Sequence, residues 1–214
     1  MLTPKKRKPR KFAERKLITF IICILLIGCI IGGSVVGIIA AAASNSSSTP
    51  YGTRDGKTLT DDGVLIVKSE EFTPLECGLS EELQEYTFYL CQAYYIDFEF
   101  VMALMYTESA FKADVISGTN DYGLMQLNTC NHKELTDKLG ITDFTEPYQN
   151  IRGGVYLLRR LFEKYDEPAL VCMAYNMGEY GASVLWDNGV YETAYSNKVL
   201  AKANEYAAEA DNAK

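Results

Sequence analysis

One carboxylate, Glu108, ends an apolar segment that has the spacing of a helix. The residues that precede it on the same predicted face are all apolar: Phe98, Val101, Leu104 and Met105. Burial on that face would disfavour the charged carboxylate and raise its pKa, and the negative end of the helix dipole acts in the same direction. A carboxyl group that stays protonated near neutral pH can donate a proton to a leaving oxygen. The pattern therefore indicates a general acid, although a glutamate at a helix end is more often a solvated side chain.

The elements that must position Glu108 are predicted to be helices. Ser80, followed by two glutamates, is a plausible N-cap for the first helix. Pro147 and Pro168 each favour a helix start, and Gly178 is predicted to end the helix that begins at Pro168. The predicted helices after the first cover residues 98–107, 131–139, 147–165, 168–177, 182–186 and 192–208. Because no convincing strand alternation occurs among them, residues 80–214 are predicted to form one mainly α domain.

The chain before this domain divides by charge and hydropathy. Residues 1–16 carry eight Lys and Arg against one acid, about +7, whereas the rest carries 13 bases against 27 acids, about −14. Residues 17–43 form an uncharged run of 27 residues, long enough to cross a bilayer as one helix. By the positive-inside rule, the basic segment 1–16 stays in the cytoplasm and residues 44–79 form a linker or stalk outside. The prediction is a single-pass anchor in the cytoplasmic membrane, with the domain outside.

Two other interpretations of residues 17–43 remain open. The run of alanines at 41–43 offers a cleavage site, which would make the segment a signal peptide and the domain a secreted form. Residues 26–29 resemble a lipoprotein box, in which Cys29 would carry the lipid. The apolar run is longer than the roughly 7–15 residues of a signal-peptide core and continues well past Cys29, which favours the uncleaved anchor. A short strand over residues 64–67 is a weaker prediction within the stalk.

Cysteine, histidine and net charge limit the other chemistries. Cys77, Cys91, Cys130 and Cys172 lie in the exported part, and four cysteines allow three pairings as well as free thiols. The single histidine, His132, lies in a polar context typical of a surface residue, and no metal-ligand spacing occurs. We therefore expect no metal and no cofactor. The acidic domain also lacks the basic footprint that a nucleic-acid-binding protein needs.

Further motifs follow Glu108 in a fixed order. They are Glu108-Ser109-x-Phe111, Ser117, Gly123-Leu124-Met125-Gln126, Asn150-Ile151 with Tyr156-Leu157, Ala174-Tyr175-Asn176-x-Gly178, and Tyr195 with Val199. Each is common alone, but the ordered set over some 90 residues resembles the catalytic domain of the soluble lytic transglycosylases (SLT), within the lysozyme-like superfamily. The resemblance covers about residues 82–205.

The resemblance implies a lysozyme-like fold and a single catalytic acid and base, Glu108. The implied substrate is the β-1,4 bond between N-acetylmuramic acid and N-acetylglucosamine in peptidoglycan. Glu108 would protonate the glycosidic oxygen and then deprotonate the muramyl C6 hydroxyl, which closes a 1,6-anhydro ring. The same resemblance implies that the substrate is bound by Ser109, Gly123, Met125, Gln126, Tyr175, Asn176 and Tyr195.

Two features depart from the SLT pattern. The segment Asn120-Asp121-Tyr122-Gly123 resembles the equivalent loop of c-type lysozymes, in which the aspartate is the second carboxylate. Asp121 could therefore act as a nucleophile or charge stabiliser in a hydrolase, or it could cap the loop through a backbone N–H, which is the commoner role. Tyr195 also lies one residue off the expected spacing from Glu192-Thr193, so its assignment is weaker than that of Tyr175.

Three functions are consistent with this sequence. The first is a membrane-anchored lytic transglycosylase that opens peptidoglycan locally, as beside a conjugation or secretion complex. The second is a muramidase that uses Glu108 and Asp121. The third is a non-catalytic glycan-binding scaffold on the same fold, against which the intact Glu108, Gln126 and Asn176 argue. Peptidoglycan strands and the membrane are the expected partners in the first case.

Overall fold

The computed structural model describes residues 57–59, 65–67 and 72–212. The predicted anchor over residues 17–43, its basic flank and Cys29 lie outside the described residues. Within the described ranges, no helix is both long and apolar enough to cross a membrane.

Six helices account for most of the described chain, which confirms the mainly α prediction. They are α1 (Glu81–Tyr94), α2 (Phe98–Ser109), α3 (Thr129–Leu139), α4 (Pro147–Phe162), α5 (Pro168–Asp187) and α6 (Ala194–Asn212). Two short antiparallel pairs accompany them: β1 (Lys57–Leu59) with β2 (Leu65–Val67), and β3 (Asp121–Tyr122) with β4 (Leu127–Asn128). The strand predicted over residues 64–67 is thus present as β2.

Local capping explains where most helices begin. Ser80 caps α1 as predicted, because its side chain accepts a hydrogen bond from the backbone N–H of Leu83. Glu146 caps α4 by accepting from the N–H groups of the second and third helical residues, next to Pro147 at the first position. Asn128 caps α3 by accepting from the N–H of Cys130 at 3.0 Å, and it starts that helix two residues before the predicted position.

The predicted helix end at Gly178 is instead a break within α5. Gly178 has φ 74° and ψ 157°, which is not helical, and helical geometry resumes after it as far as Asp187. The separate short helix predicted over residues 182–186 is the second half of this same element. The break turns the chain beside residues that line a cleft.

Helix α2 lies in the core of the fold, and its middle is apolar on all sides. Its residues Val101 to Met105 are completely buried, since it packs against both α1 and α6. A helix that is hydrophobic all round is stable only where neighbours cover every face. Helices α4 and α5 pack against each other, and α5 also packs against α6. This enclosure gives the last turn of α2, and hence Glu108, a fixed position.

The hairpin formed by β3 and β4 was not predicted. Its register pairs Asp121 with Asn128 and Tyr122 with Leu127. Two-residue strands are too short to show the alternation of side chains that identifies a strand in a sequence. The hairpin carries Asp121 on one strand and leads directly into α3 on the other.

Candidate active site

Glu108 lies in the last turn of α2 with its carboxyl group largely enclosed. The hydroxyl of Tyr195 donates a hydrogen bond to its Oε1. Burial raises the pKa of Glu108 to about 7; the negative charge of Asp121 adds to the rise, and the bond from Tyr195 and the charge of Lys198 oppose it. A carboxyl group with a pKa near 7 is present in both protonation states at neutral pH. Glu108 can therefore act as an acid and then as a base.

Tyr195 reaches Glu108 from the first turn of α6. The close packing of α6 on α2 brings together two residues that are 87 positions apart in the chain. Burial, followed by the charge of Glu108, raises the pKa of Tyr195 well above its ordinary value, so the hydroxyl keeps its proton and remains a donor. The tyrosine that the sequence supported less well is thus the one in contact with Glu108.

Tyr175 lies in the cleft with Glu108, as its motif suggested, and is bonded to the backbone there. Its hydroxyl donates to the backbone carbonyl of Met125 at 2.8 Å, which ties α5 to the loop before β4. Burial raises the pKa of Tyr175 well above its ordinary value, and the charges of Glu108 and Asp121 act in the same direction. Tyr175 is therefore a neutral donor that holds the site's backbone, and its ring lines the same cleft as Glu108.

Asp121 is held by hydrogen bonds to both carboxylate oxygens. Oδ2 accepts from the hydroxyls of Ser117, at 2.7 Å, and Thr119, while Oδ1 accepts from Asn128 Nδ2 at 2.6 Å. Partial burial opposes ionisation, but these three bonds outweigh it and lower the pKa of Asp121. Asp121 is therefore an anion at neutral pH. It lines the cleft with Glu108, and its side chain also organises the loop from which it projects.

The side chain of Asn150 makes three hydrogen bonds that position the loop between β3 and β4. Its Oδ1 accepts from Met125 N at 2.8 Å, and its Nδ2 donates to the carbonyl oxygens of Tyr122, at 2.8 Å, and Phe144, at 2.7 Å. Asn150 is fully buried at the N-terminal end of α4. Asn150 belongs to one of the sequence motifs but was not predicted to be a site residue. Its role is to hold the loop, which no local pattern reveals.

Gly123 and Met125 serve the packing of this loop. Gly123 has φ 73°, and a Cβ there would lie 2.4 Å from Asn150 Nδ2, so the close approach it permits is to Asn150. Met125 is completely buried, with its side chain over the face of α4 where Gly154 lies; a Cβ on Gly154 would come within 2.2 Å of its sulfur. Both residues therefore fix the packing of the loop against α4.

Ser109 and Gln126 also bond to the protein backbone. Ser109 Oγ donates to the carbonyl of Leu124 at 2.8 Å, across the interface between α2 and the loop, and is buried. Gln126 Nε2 donates to the carbonyls of Gly123, at 2.9 Å, and Val115, at 3.2 Å, while its side chain lines the cleft. Of the predicted substrate-binding residues, Gln126, Tyr175 and Asn176 line the cleft beside Glu108.

The cleft has a volume of about 530 Å³ and is formed by the end of α2, the hairpin, and helices α3, α4 and α5. Several polar residues that the sequence did not assign to the site also line it: Asn128, Cys130, Asn131, Glu134, Arg160 and Glu179. They come from four separate elements, so only their convergence in the fold marks them as cleft residues.

Four cysteines and the histidine lie among the described residues. Cys77, Cys91, Cys130 and Cys172 are free thiols. Burial raises the pKa of Cys172 to about 12, which keeps it a neutral thiol. His132 is half-buried, not a surface residue as expected, because its ring stacks on Phe144 at 3.5 Å. Among the described residues, no group of three or more potential ligands could hold a metal ion.

Comparison with known proteins identifies the class of this domain. The family model of the transglycosylase SLT domain matches residues 85–197, more than half of the chain. The chain belongs to the transglycosylase SLT domain family. The resemblance drawn from the ordered motifs is thereby confirmed, together with the lysozyme-like fold.

Individual relatives agree with this assignment. A transglycosylase of Enterobacteria phage PRD1 is 33% identical over 111 residues, which span 52% of this chain and 39% of the relative. An inactive Glu-to-Gln mutant of lytic transglycosylase Slt from Pseudomonas aeruginosa superposes with a TM-score of 0.53 at 23% identity, covering 60% of this chain and 24% of that one. The 70 kDa soluble lytic transglycosylase of Escherichia coli superposes with a TM-score of 0.50 at 20% identity, covering 57% of this chain and 23% of that one. The chain thus spans well under half the length of these relatives.

Proposed function

We propose that this protein is a peptidoglycan lytic transglycosylase in which Glu108 is the only catalytic acid and base. The observation that supports the proposal is the environment and the pKa of Glu108 within an SLT-family domain. It is a largely enclosed carboxyl group with a pKa of about 7, bonded to Tyr195, at the wall of a cleft of about 530 Å³. A single group that changes protonation state near neutral pH suits a reaction that needs an acid first and a base second.

In the first step, protonated Glu108 donates its proton to the oxygen of the bond between the muramyl C1 and N-acetylglucosamine. That bond breaks, and the N-acetylglucosamine hydroxyl leaves with the proton. In the second step, the Glu108 carboxylate removes the proton of the muramyl C6 hydroxyl, whose oxygen attacks C1 and closes the 1,6-anhydro ring. Glu108 is protonated again at the end, and no water is consumed. Tyr195, a permanent donor to Oε1, stabilises the carboxylate between the two steps.

Asp121 is proposed to organise the loop and to add negative charge near Glu108. Both of its oxygens already accept hydrogen bonds from Ser117, Thr119 and Asn128, which favours a structural role over a nucleophilic one. Its charge contributes to the raised pKa of Glu108 and would also favour positive charge developing at C1. The hydrolase alternative rests on one observation, namely that this anion lines the same cleft as Glu108.

Mass spectrometry of the products released from peptidoglycan tests these assignments. A transglycosylase releases muropeptides with 1,6-anhydro ends, which weigh one water less than the reducing ends made by a hydrolase. Glu108→Gln should abolish release, and Asp121→Asn should leave anhydro products as the main species. Reducing ends from the wild-type protein, lost in Asp121→Asn, would establish the muramidase instead. Clearing of cell walls by Glu108→Gln at the wild-type rate would refute Glu108 as the catalytic group. Absence of clearing by the wild-type protein would leave the scaffold function.

We further propose that residues 17–43 anchor the protein in the cytoplasmic membrane, with the domain outside. Their lack of charge and the basic flank before them support this orientation. An anchored enzyme cuts only nearby strands, which suits a partner that must pass through the wall, such as a conjugation or secretion complex. The full chain should sediment with membranes and resist extraction by high salt, whereas a chain that starts at residue 44 should be soluble. Equal solubility of both would refute the anchor.

A further inference from the structure

The cleft wall carries one cation among several acids. Of the described residues that line it, four are carboxylic acids, Glu108, Asp121, Glu134 and Glu179, and the only base is Arg160. A guanidinium with an open face in such a cleft is a binding group for an anion, since it presents five donors in a planar fork that fits a carboxylate.

Arg160 is only lightly engaged by its protein partner. Its Nη1 donates to Glu134 Oε1 at 2.5 Å, and the two side chains are each 37% exposed. An ion pair with this much exposure contributes little to stability and exchanges readily. Among the described residues, Glu134 is the one acceptor bonded to Arg160, so the remaining guanidinium donors are available to a ligand.

The other nearby carboxylate, Glu179, is hydrogen-bonded to other residues, and the charge of Arg160 is the smallest of the causes that act on its pKa. Both oxygens of Glu179 accept from Lys164 Nζ, at 2.6 and 2.8 Å, and Oε2 also accepts from the hydroxyl of Tyr165 at 2.9 Å. The hydrogen bond from Lys164 is the main reason that the pKa of Glu179 is lowered. The charge of Glu179 is thus already neutralised by Lys164. Arg160 is therefore the group at this end of the cleft that can bind a negatively charged ligand.

We propose that Arg160 binds a carboxylate carried on the side chain of a muramyl residue, and so selects muramyl strands over neutral glycans. This inference rests on the proposed function, since it names the substrate feature that the same cleft recognises. Two sources share the chemistry. One is the lactyl carboxylate of a strand without peptides, and the other is a carboxylate of the stem peptide attached there. N-acetylglucosamine oligomers carry neither group.

Binding measured without turnover tests the inference. Calorimetry uses the Glu108→Gln protein with three short glycans: muramyl strands with peptides, amidase-stripped muramyl strands, and N-acetylglucosamine oligomers. Adding Arg160→Gln should weaken binding of at least one muramyl glycan by about tenfold, the loss of a charge-assisted hydrogen bond. It should leave the neutral oligomers unchanged. The muramyl glycan that loses affinity identifies the source of the carboxylate.

Arg159→Gln is the matched control. Arg159 is adjacent in α4 but pairs with Glu163 and stacks on the ring of Tyr94, away from this cleft. Its removal should change no affinity. Arg160→Lys, which keeps the charge and loses the fork, should give an intermediate loss on the same glycan, and Glu134→Gln, which frees the guanidinium, should increase affinity for it.

Unchanged muramyl affinity in Arg160→Gln would overturn the inference, as would an equal loss for all three glycans. This result is distinct from a failure of the proposed function. That failure would be seen in the active wild-type protein as the absence of anhydro products, whereas the calorimetry requires no cleavage.

Discussion

The raised pKa of Glu108 makes a prediction about stability that is independent of catalysis. Replacing Glu108 by Gln keeps the size of the side chain and an oxygen that can accept from Tyr195, but it removes the titrating group. The folded protein holds the proton of Glu108 more tightly than the unfolded chain does. Between the two pKa values the folded state therefore binds more protons, and the free energy of unfolding falls as the pH rises.

The size of this effect follows from the two pKa values. The pKa of Glu108 is about 7 in the folded protein against an ordinary value of 4.5. At 1.36 kcal/mol per pH unit, the difference corresponds to at most about 3–4 kcal/mol. Below pH 4.5 the group is protonated in both states and costs nothing. The cost develops between pH 4.5 and 7 and is complete above pH 7, where about 2–3 kcal/mol is expected for a group with some solvent contact.

The assay is urea unfolding of the wild-type and Glu108→Gln proteins from pH 4.5 to pH 8. The stability of the variant relative to wild type should increase by about 2–3 kcal/mol across this range, because every other titrating group is common to both proteins. Glu192→Gln is the control, since Glu192 is exposed on the segment before α6 and lacks the burial on which the expected effect depends. A flat difference for Glu108→Gln would show that Glu108 is solvated and would remove the physical basis of its acid role.

Two further variants test the architecture around Glu108. Gly123→Ala should lower the free energy of unfolding by more than about 2 kcal/mol, because its Cβ would meet Asn150 at 2.4 Å. Gly140→Ala is the control: Gly140 has a similar φ of 67° but open space around it, so the change should cost about 1 kcal/mol. Equal costs for the two variants would refute the steric argument. Tyr195→Phe removes the hydrogen bond that opposes the rise in the pKa of Glu108. The basic limb of the pH profile of kcat/KM should therefore move to higher pH, while kcat falls about tenfold. An unmoved limb would show that the bond is absent in solution.

Local features of the sequence were sufficient to predict most of the helices. The cap at Ser80 and the prolines at 147 and 168 act within a single turn, so each helix start is encoded beside the residues that it affects. The apolar residues around Glu108 likewise predicted an enclosed carboxyl group with a raised pKa, which the structure confirms. The break at Gly178 was recognised as a helix signal but was misread as an end, because continuation of α5 depends on its packing against α6.

The sequence by itself was sufficient to predict the helical class and to single out Glu108 as a candidate acid. Its ordered motifs also identified the family. Tertiary structure alone decided which side chains meet. It placed Tyr195 on Glu108 across 87 residues, used Asn150 to hold the loop across 25 residues, and brought Arg160 to the cleft wall. The physical reason is that these contacts depend on how helices pack in space. The spacing of residues along the chain does not show which residue of another helix will be in contact. A sequence shows which groups could do chemistry, whereas the fold sets their distances, and the distances set the pKa values.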